Sequence, residues 1–304
     1  MSVDHSEAPV STQALNGPGP SPSSTVVDVE QLTWPVSYPG SDKVSAESLL
    51  AARSIQETSG RRTDTPVRKG FVRGTAANPA PMGQIYSGGR SGVVALKLYL
   101  ALIWRCASAP YETDKPARGW ATLLDLPEPA TRGARRVAAA LRTLEDHRLV
   151  TTERQAGHPS VVRLLDENGR GRPYGLPSTS HLRAIAGHRS KAEIASHVYF
   201  KVSTELWTAG YMQTLSGPGL VMLLILLAEQ GGEGSRVWFS TDVFQDRYAI
   251  SHQTRATGTK QLLDLNLLRI ERESIATGIY ADVFDPRRMR NIYHLRRAAL
   301  NDVT

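Results

Sequence analysis

Apolar residues recur with helical and strand periods over two stretches of the chain, and the order of elements they predict is the same in both. In the first, Val93, Val94, Leu96, Leu98, Leu100, Leu102, Ile103 and Trp104 make a helix apolar almost all round, which predicts burial on every side. A second helix is expected near Arg118–Asp125. Pro127 and Pro129 then break the chain before a long helix from about Thr131 to His147. On it Ala134, Val137, Leu141 and Leu144 recur at +3, +4 and +3 spacing and mark one inward stripe. Two strand-like runs follow, Val150–Gln155 and Val161–Leu165. They are joined by Ala156, Gly157, His158 and Pro159, a turn composition that predicts a β-hairpin.

The second stretch runs in the same order. A helix Gly219–Glu229 precedes a short helix Thr241–Tyr248 with Ser240 at its N-cap, and Ser251 caps a helix from about His252 to Leu265. A strand Leu267–Arg272 follows, and Arg290–Leu295 reads as its return partner across the long loop Glu273–Met289. The letters repeat too. Residues 91–100 line up with 216–225 at an offset of 125, and residues 144–154 with 262–272 at an offset of 118. A longer connection between the first two helices of the first stretch accounts for the difference. The pattern predicts an internal duplication.

Around these stretches the composition changes. Residues 1–85 read as an arm, since Asn16–Ser24 is Pro, Gly and Ser and cannot pack a core. One short helix is expected there, Ala46–Glu57, with Ser45 as N-cap and Val44 meeting Leu49 as a hydrophobic staple. After it Arg61, Arg62, Arg68, Lys69 and Arg73 form a basic run opposed only by Asp64, expected as a solvated arm that touches phosphates. Residues 168–198 read as a basic linker carrying Arg170, Arg172, Arg183, Arg189 and Lys191, with a helix near Ser180–Ser196. The expected organisation is therefore an arm at 1–85, a first domain at 86–167, the linker at 168–198 and a second domain at 199–304.

Charge sharpens this picture. The 304 residues carry 36 Lys+Arg against 29 Asp+Glu, a net charge of +7 that fits an anionic partner. Residues 86–167 hold net +3 and residues 168–198 net +4, whereas residues 1–85 hold net −1, so the positive field sits in mid-chain. Arg outnumbers Lys 29 to 7, which suits bidentate phosphate or guanine contacts. The single cysteine, Cys106, excludes an intramolecular disulfide and fits a reducing cytoplasm. The longest apolar run, Leu220–Ala228, is about half of the ~18 residues a membrane span requires, and no apolar signal region opens the chain. A soluble cytoplasmic protein without membrane contact is expected.

Helix, helix, turn, longer helix and β-hairpin is the order of the winged-helix variant of the helix-turn-helix. Residues Leu144–Val150 resemble the end of a recognition helix turning into the first wing strand in that superfamily. The resemblance covers residues 86–167 and 199–297. It implies a mostly helical α+β fold with two tandem winged-helix domains after a disordered N-terminal arm. It implies double-stranded DNA as partner, with each third helix in a major groove and each hairpin on phosphates or in the minor groove. Two such domains in one chain are similar in architecture to the replication initiators of iteron-bearing plasmids, where one subunit presents two readers to one DNA repeat. That analogy implies a plasmid or mobile-element initiator working with replication machinery. A transcriptional regulator reading an inverted repeat as a homodimer beside transcription machinery stays open, as does a winged-helix scaffold that binds protein.

Helical geometry then selects residues. At 100° per residue from Val137, Arg132, Arg135 and Arg142 fall opposite the inward stripe and Arg136 at its flank. Arginine near a helix start pairs with guanine O6 and N7. On the second long helix Gln253, Thr257 and Lys260 face outward, with Thr254 and Gln261 beside them. Gln suits adenine, Thr a thymine methyl and Lys a phosphate. Arg255 points inward by the same count, at odds with an apolar core, and His252 is a helix-start surface residue. Arg154, His158 and Arg163 flank the first hairpin, and Arg287, Arg288 and Arg290 cluster where the second returns; these supply phosphate contacts or simply a charged edge.

Catalytic patterns are weak by comparison. Gly83–Ser91 departs from a phosphate-binding loop because Arg90 replaces the lysine and a Pro-rich stretch precedes it. His294 and Arg297 have the His-x-x-Arg spacing of tyrosine recombinases, but no tyrosine follows. The eight histidines lack ligand spacing, the carboxylates form no two-metal cluster, and Cys106 sits on the apolar first helix. No enzymatic activity, metal or cofactor is expected.

Overall fold

The computed structural model describes residues 43–61, 63–75, 77–87, 89–154, 157–231, 236–274 and 289–296. They form an α+β chain, predominantly helical, with small antiparallel sheets. Helix α1 (Ala46–Thr58) starts where the Ser45 hydroxyl accepts the Ser48 N–H at 3.2 Å. Its N-terminus is tied to the body, because the Ser45 hydroxyl donates to Asp125 at 2.7 Å and the Ser48 hydroxyl to the Leu123 carbonyl at 2.8 Å. Strand β1 (Asp64–Arg68) pairs antiparallel with Tyr199–Ser203, a 3-10 turn follows at Lys69–Phe71, and α2 (Pro81–Ser87) comes next. Within the region expected as an arm, α1 is the short helix expected there, and β1, the 3-10 turn and α2 are further elements that the composition did not indicate. The expected basic run is partly core: Arg61 and Arg68 are buried, and the Arg61 guanidinium donates to the Ile103 carbonyl at 2.5 Å.

The first repeat begins with α3 (Arg90–Arg105), whose all-round apolar pattern places it inside. It lies so close to α2 that a Cβ on Gly92 would come within 2.0 Å of the Ile85 carbonyl oxygen. Strand β2 (Glu112–Thr113), α4 (Ala117–Leu123), a wide turn at Pro129–Gly133, α5 (Ala134–Asp146), β3 (Val150–Glu153) and β4 (Val161–Leu164) complete it. The sheet order is β2-β4-β3, all antiparallel. Val137, Ala140 and Leu144 are the buried stripe of α5, so Ala140 takes the inward place expected of Leu141.

The segment expected as a linker holds two helices, α6 (Pro177–Ala186) and α7 (Lys191–Ser196), in place of the one expected; the chain turns between them at Gly187 and His188. Strand β5 (Tyr199–Ser203) and two short helices, α8 (Glu205–Thr208) and α9 (Tyr211–Thr214), lead to the second repeat. That repeat comprises α10 (Gly217–Glu229), the bridge residue Val237, α11 (Thr241–Tyr248), α12 (His252–Asp264), β6 (Leu268–Ser274) and β7 (Met289–Leu295). Val237 pairs antiparallel with Tyr293 of β7, as β2 pairs with β4 in the first repeat.

The duplication reaches the backbone torsions. Ala134 and His252, which open α5 and α12, are 118 residues apart, and so are Val150 and Leu268, which open β3 and β6. Between them Arg148 and Asn266 take the left-handed conformation, with φ of 55° and 57°. The N–H groups of Leu149 and Leu267 close the same 6→1 helix-ending bond, to Leu144 and Leu262, both at 2.9 Å. Asp125 and Ala249, after α4 and α11, share the same geometry at 53° and 54°.

The second repeat packs closely against the first and against the segment that precedes it. A Cβ on Gly217 would come within 2.6 Å of Val93 in α3, and one on Gly83 in α2 within 2.6 Å of the Tyr248 carbonyl oxygen. Arg73 Nε donates to Glu229 at 2.5 Å, and the Tyr248 hydroxyl donates to the same carboxylate at 2.5 Å. Burial opposes ionisation there, but these hydrogen bonds hold Glu229 below the usual carboxylate range.

A buried charge cluster joins the flanking segments. Arg68 at the end of β1 pairs with Glu167, with Arg68 1% and Glu167 0% exposed. It also reaches the Gly175 carbonyl at 2.9 Å and the Ser180 hydroxyl on α6 at 3.3 Å. Burial pushes Glu167 up to about 7 against the pull of Arg68, and Glu167 and Asp166 hold Arg68 above its ordinary value despite its burial. Removing one partner leaves the other charge buried and alone. Arg68→Ala is expected to lower the unfolding free energy in urea by about 3–5 kcal/mol, and Arg68→Met with Glu167→Leu to recover most of it. A double variant as unstable as the single one would show that the pairing is not what holds these segments.

Candidate nucleic-acid interface

Helix α5 turns its buried stripe onto α3 and leaves the opposite face to solvent. Arg132, Arg135, Arg136 and Arg142 are all exposed there, as the helical count places them. Arg132 lies in the wide turn before the helix, where Glu128 accepts its guanidinium at 2.7 Å and the Thr131 hydroxyl at 3.0 Å. An ion pair this exposed is worth about 1 kcal/mol or less, so Arg132 is readily exchanged to another anion. At the hairpin end Arg154 and His158 are exposed, whereas Arg163 is committed to Glu112 across the β2–β4 ladder at 2.6 Å. Arg148 and Arg170, which the periodicity did not single out, add exposed cations beside a cleft of about 610 Å³ at the far end of α5.

Helix α12 presents equivalent positions with different chemistry. At the same offset of 118, Arg135, Arg136 and Arg142 correspond to Gln253, Thr254 and Lys260. Gln253, Thr257 and Lys260 are exposed, with the Lys260 ammonium 2.8 Å from Asp264. Thr254 is half-buried: its hydroxyl accepts from Ser251 at 3.0 Å and lies 3.4 Å from the Tyr86 hydroxyl of α2. Gln261 accepts from the Ser216 hydroxyl at 2.6 Å and so serves the start of α10 instead of an outward face.

Arg255 occupies the place of Val137. Its inward direction, at odds with an apolar core, is satisfied by an aromatic cage. The guanidinium carbon lies 4.7 Å from the Phe244 ring centroid, 5.3 Å from Phe239 and 5.8 Å from Tyr293, and Nη2 donates to the Tyr293 hydroxyl at 3.1 Å. Ring faces carry the negative end of the aromatic quadrupole and stand in for lost hydration. Gly258, at the place of Ala140, lets α12 approach α10 so closely that a Cβ would come within 2.2 Å of the Pro218 carbonyl oxygen.

At the second hairpin Arg287 and Arg288 lie outside the described residues. Arg290 is turned against the protein: Nε donates to Glu273 at 2.7 Å and its guanidinium lies 5.2 Å from the Trp238 ring centroid. Arg236 reaches the same carboxylate at 2.6 Å. These two hydrogen bonds hold Glu273 below the usual carboxylate range. Arg290 is therefore committed within the hairpin, a pairing that the sequence did not signal because Glu273 is 17 residues away.

Beneath α5, Lys97 of α3 donates to the Gln213 carbonyl at 2.9 Å, and burial followed by the neighbouring Arg136 brings it down to about 8, with Asp125 opposing. Burial pushes the Cys106 thiol up to about 12, which keeps it protonated. Among the described residues no three His, Cys, Asp or Glu side chains are placed to hold a metal ion, and no helix is long and apolar enough to cross a membrane.

Two outcomes follow from these environments. Arg255→Ala is expected to destabilise the fold by about 1–2 kcal/mol in urea titration; unchanged stability would show that the cage does not support the packing of α12. Below pH 8 Lys97 carries its charge in both states and the folded chain bears the full burial penalty. Between about 8 and 10.5 the folded chain releases that proton first, so its contribution to stability rises with pH. Melting curves of the natural chain and of Lys97→Met across this window should converge toward each other on the alkaline side if the buried ammonium is the cause. Comparison with protein-family models, with curated proteins and with solved structures finds no match to this chain.

Proposed function

We propose that this chain is a non-enzymatic, sequence-specific double-stranded DNA-binding protein with two tandem winged-helix repeats. The observation that carries the reading is the α5 surface: exposed Arg135, Arg136 and Arg142 on the side away from the buried stripe, with exposed Arg132 in the turn before it, on the third helix of a helix–strand–helix–helix–hairpin repeat. In this reading α5 lies in a major groove with Arg132, Arg135, Arg136 and Arg142 on bases and phosphates, and Arg154 and His158 extend the contact along the hairpin. Gln253, Thr257 and Lys260 form the smaller outward face of α12. The close packing of the two repeats favours one subunit reading one asymmetric DNA repeat, which is the role of a plasmid or mobile-element replication initiator. A second reading, a transcriptional regulator acting as a homodimer on an inverted repeat, is favoured by Leu182 and Ile185, exposed one turn apart on α6.

Arg132→Ala with Arg135→Ala is expected to lower duplex affinity steeply and to leave the melting temperature unchanged. The salt slope of binding should fall by about 0.9 for each phosphate that the variant no longer neutralises. Unaltered affinity would sink the DNA reading and leave a protein-binding scaffold. Selection from a random duplex library at two salt concentrations separates the roles. An asymmetric motif of about two turns supports the initiator, and a palindrome supports the dimeric regulator.

A further inference from the structure

The second repeat lacks the arginine face of the first, yet it carries the one exposed tryptophan among the described residues. Trp104, Trp120 and Trp207 are buried, whereas Trp238 is 50% exposed. Its position follows from the pairing around it. Val237 bridges Tyr293 antiparallel, so the next residue runs toward the start of β7, where Arg290 lies against the indole. That arginine is held in place by Glu273, so one face of the ring is braced by an oriented cation before any ligand arrives. Two arginines, Arg236 and Arg290, share that single carboxylate.

Beside the indole a cleft of about 250 Å³ is lined by Phe239, Val243, Phe244, Arg247 and Tyr248. The cleft lies between the segment that follows Val237 and α11, and Phe239 on its wall also forms part of the cage around Arg255. An exposed indole with a cation on its face, next to an aromatic cleft bearing an exposed arginine, is the chemistry that stacks a nucleobase and receives its phosphate. Stacking of this kind needs an unpaired base, and it tolerates any sequence because every base has a π-face. The outward face of α12 points the same way. Its one outward cation, Lys260, lies 2.8 Å from Asp264 in an exposed pair, and its other outward residues, Gln253 and Thr257, are uncharged, so it offers a duplex backbone less attraction than α5 does.

We propose that Trp238 is a stacking platform for an unpaired nucleobase, and that the second repeat thereby binds single-stranded DNA while the first holds duplex. The inference rests on the DNA-binding reading above and adds a second nucleic-acid class to it. The arginines at the cleft favour an anionic polymer over an apolar peptide as its occupant.

The test uses the full chain with Trp34→Phe as background, so that emission changes report mainly on Trp238, and oligothymidylate as the single-stranded probe. Oligothymidylate is expected to quench the fluorescence. Trp238→Ala should lower affinity for it about tenfold or more, Trp238→Phe should keep most of that affinity, and duplex affinity and melting temperature should stay unchanged in both. Arg132→Ala with Arg135→Ala should do the reverse, losing duplex and keeping oligothymidylate. Oligothymidylate affinity unchanged in Trp238→Ala, or lost in step with duplex affinity, overturns the platform and leaves the duplex reading standing. A change of sedimentation from dimer to monomer in Trp238→Ala, with single-strand affinity unchanged, also overturns it and assigns the patch to a protein contact. Failure of the unaltered chain to retain any duplex is a different result, and it removes the proposed function itself.

Discussion

The buried Arg68–Glu167 pair joins stretches of the chain that lie far apart in sequence. A guanidinium and a carboxylate buried together recover their lost hydration only when geometry and neighbouring hydrogen bonds are right, so each partner fixes the position of the others. Here those partners come from separate parts of the chain. Arg68 ends β1, Glu167 follows the hairpin of the first repeat, and Ser180 belongs to α6. Because β1 also pairs with β5, the strand leading toward the second repeat, one charge cluster ties the N-terminal flank, the first repeat and the connecting segment together. Arg73 then reaches across to Glu229 at the end of α10. The repeats are spaced by packed structure, and a fixed spacing is what two DNA contacts from one subunit require.

Within that frame the two repeats keep a backbone and exchange its chemistry. The left-handed residues Arg148 and Asn266 and the matching helix-ending bonds show how closely the chain path is retained. At the outward positions of the third helix three arginines face two neutral residues and a paired lysine. At an inward position Val137 faces Arg255, which needs three aromatic rings around it. The surface of α12 keeps one cation, Lys260, and a second, Arg255, is half-buried on its inward side.

Much of this architecture was legible along the chain. The apolar period set α3, α5 and α10, and Ser45 and Ser251 mark helix starts by accepting the N–H three residues on. What escaped was long-range. Strand β1 contains Pro66 and two charged residues and reads as loop; it is a strand because β5 pairs with it and Glu167 receives its last side chain. Charge counting assigns Arg61 and Arg68 to solvent, since nothing local reveals a buried carbonyl or carboxylate far along the sequence. The same holds at the candidate site. The exposed α5 arginines follow from periodicity alone, whereas the commitment of Arg290 to Glu273 and the exposure of Trp238 depend on how a hairpin closes.

A fixed frame with unlike contacts has an energetic consequence. If each repeat bound its own preferred nucleic acid independently, the affinities would simply coexist. With both sites on one body, occupation of the first turns the second contact into an intramolecular event at high effective concentration, provided the ligand spans the distance. A cationic α5 face favours duplex, where phosphate density is greatest, and an aromatic platform favours a base freed from its partner. On the two proposed readings together, the ligand that would satisfy both is a boundary between paired and unpaired DNA. Binding there would stabilise the opened form by the differential affinity for it, which is the thermodynamic requirement for any protein that opens a duplex without catalysis.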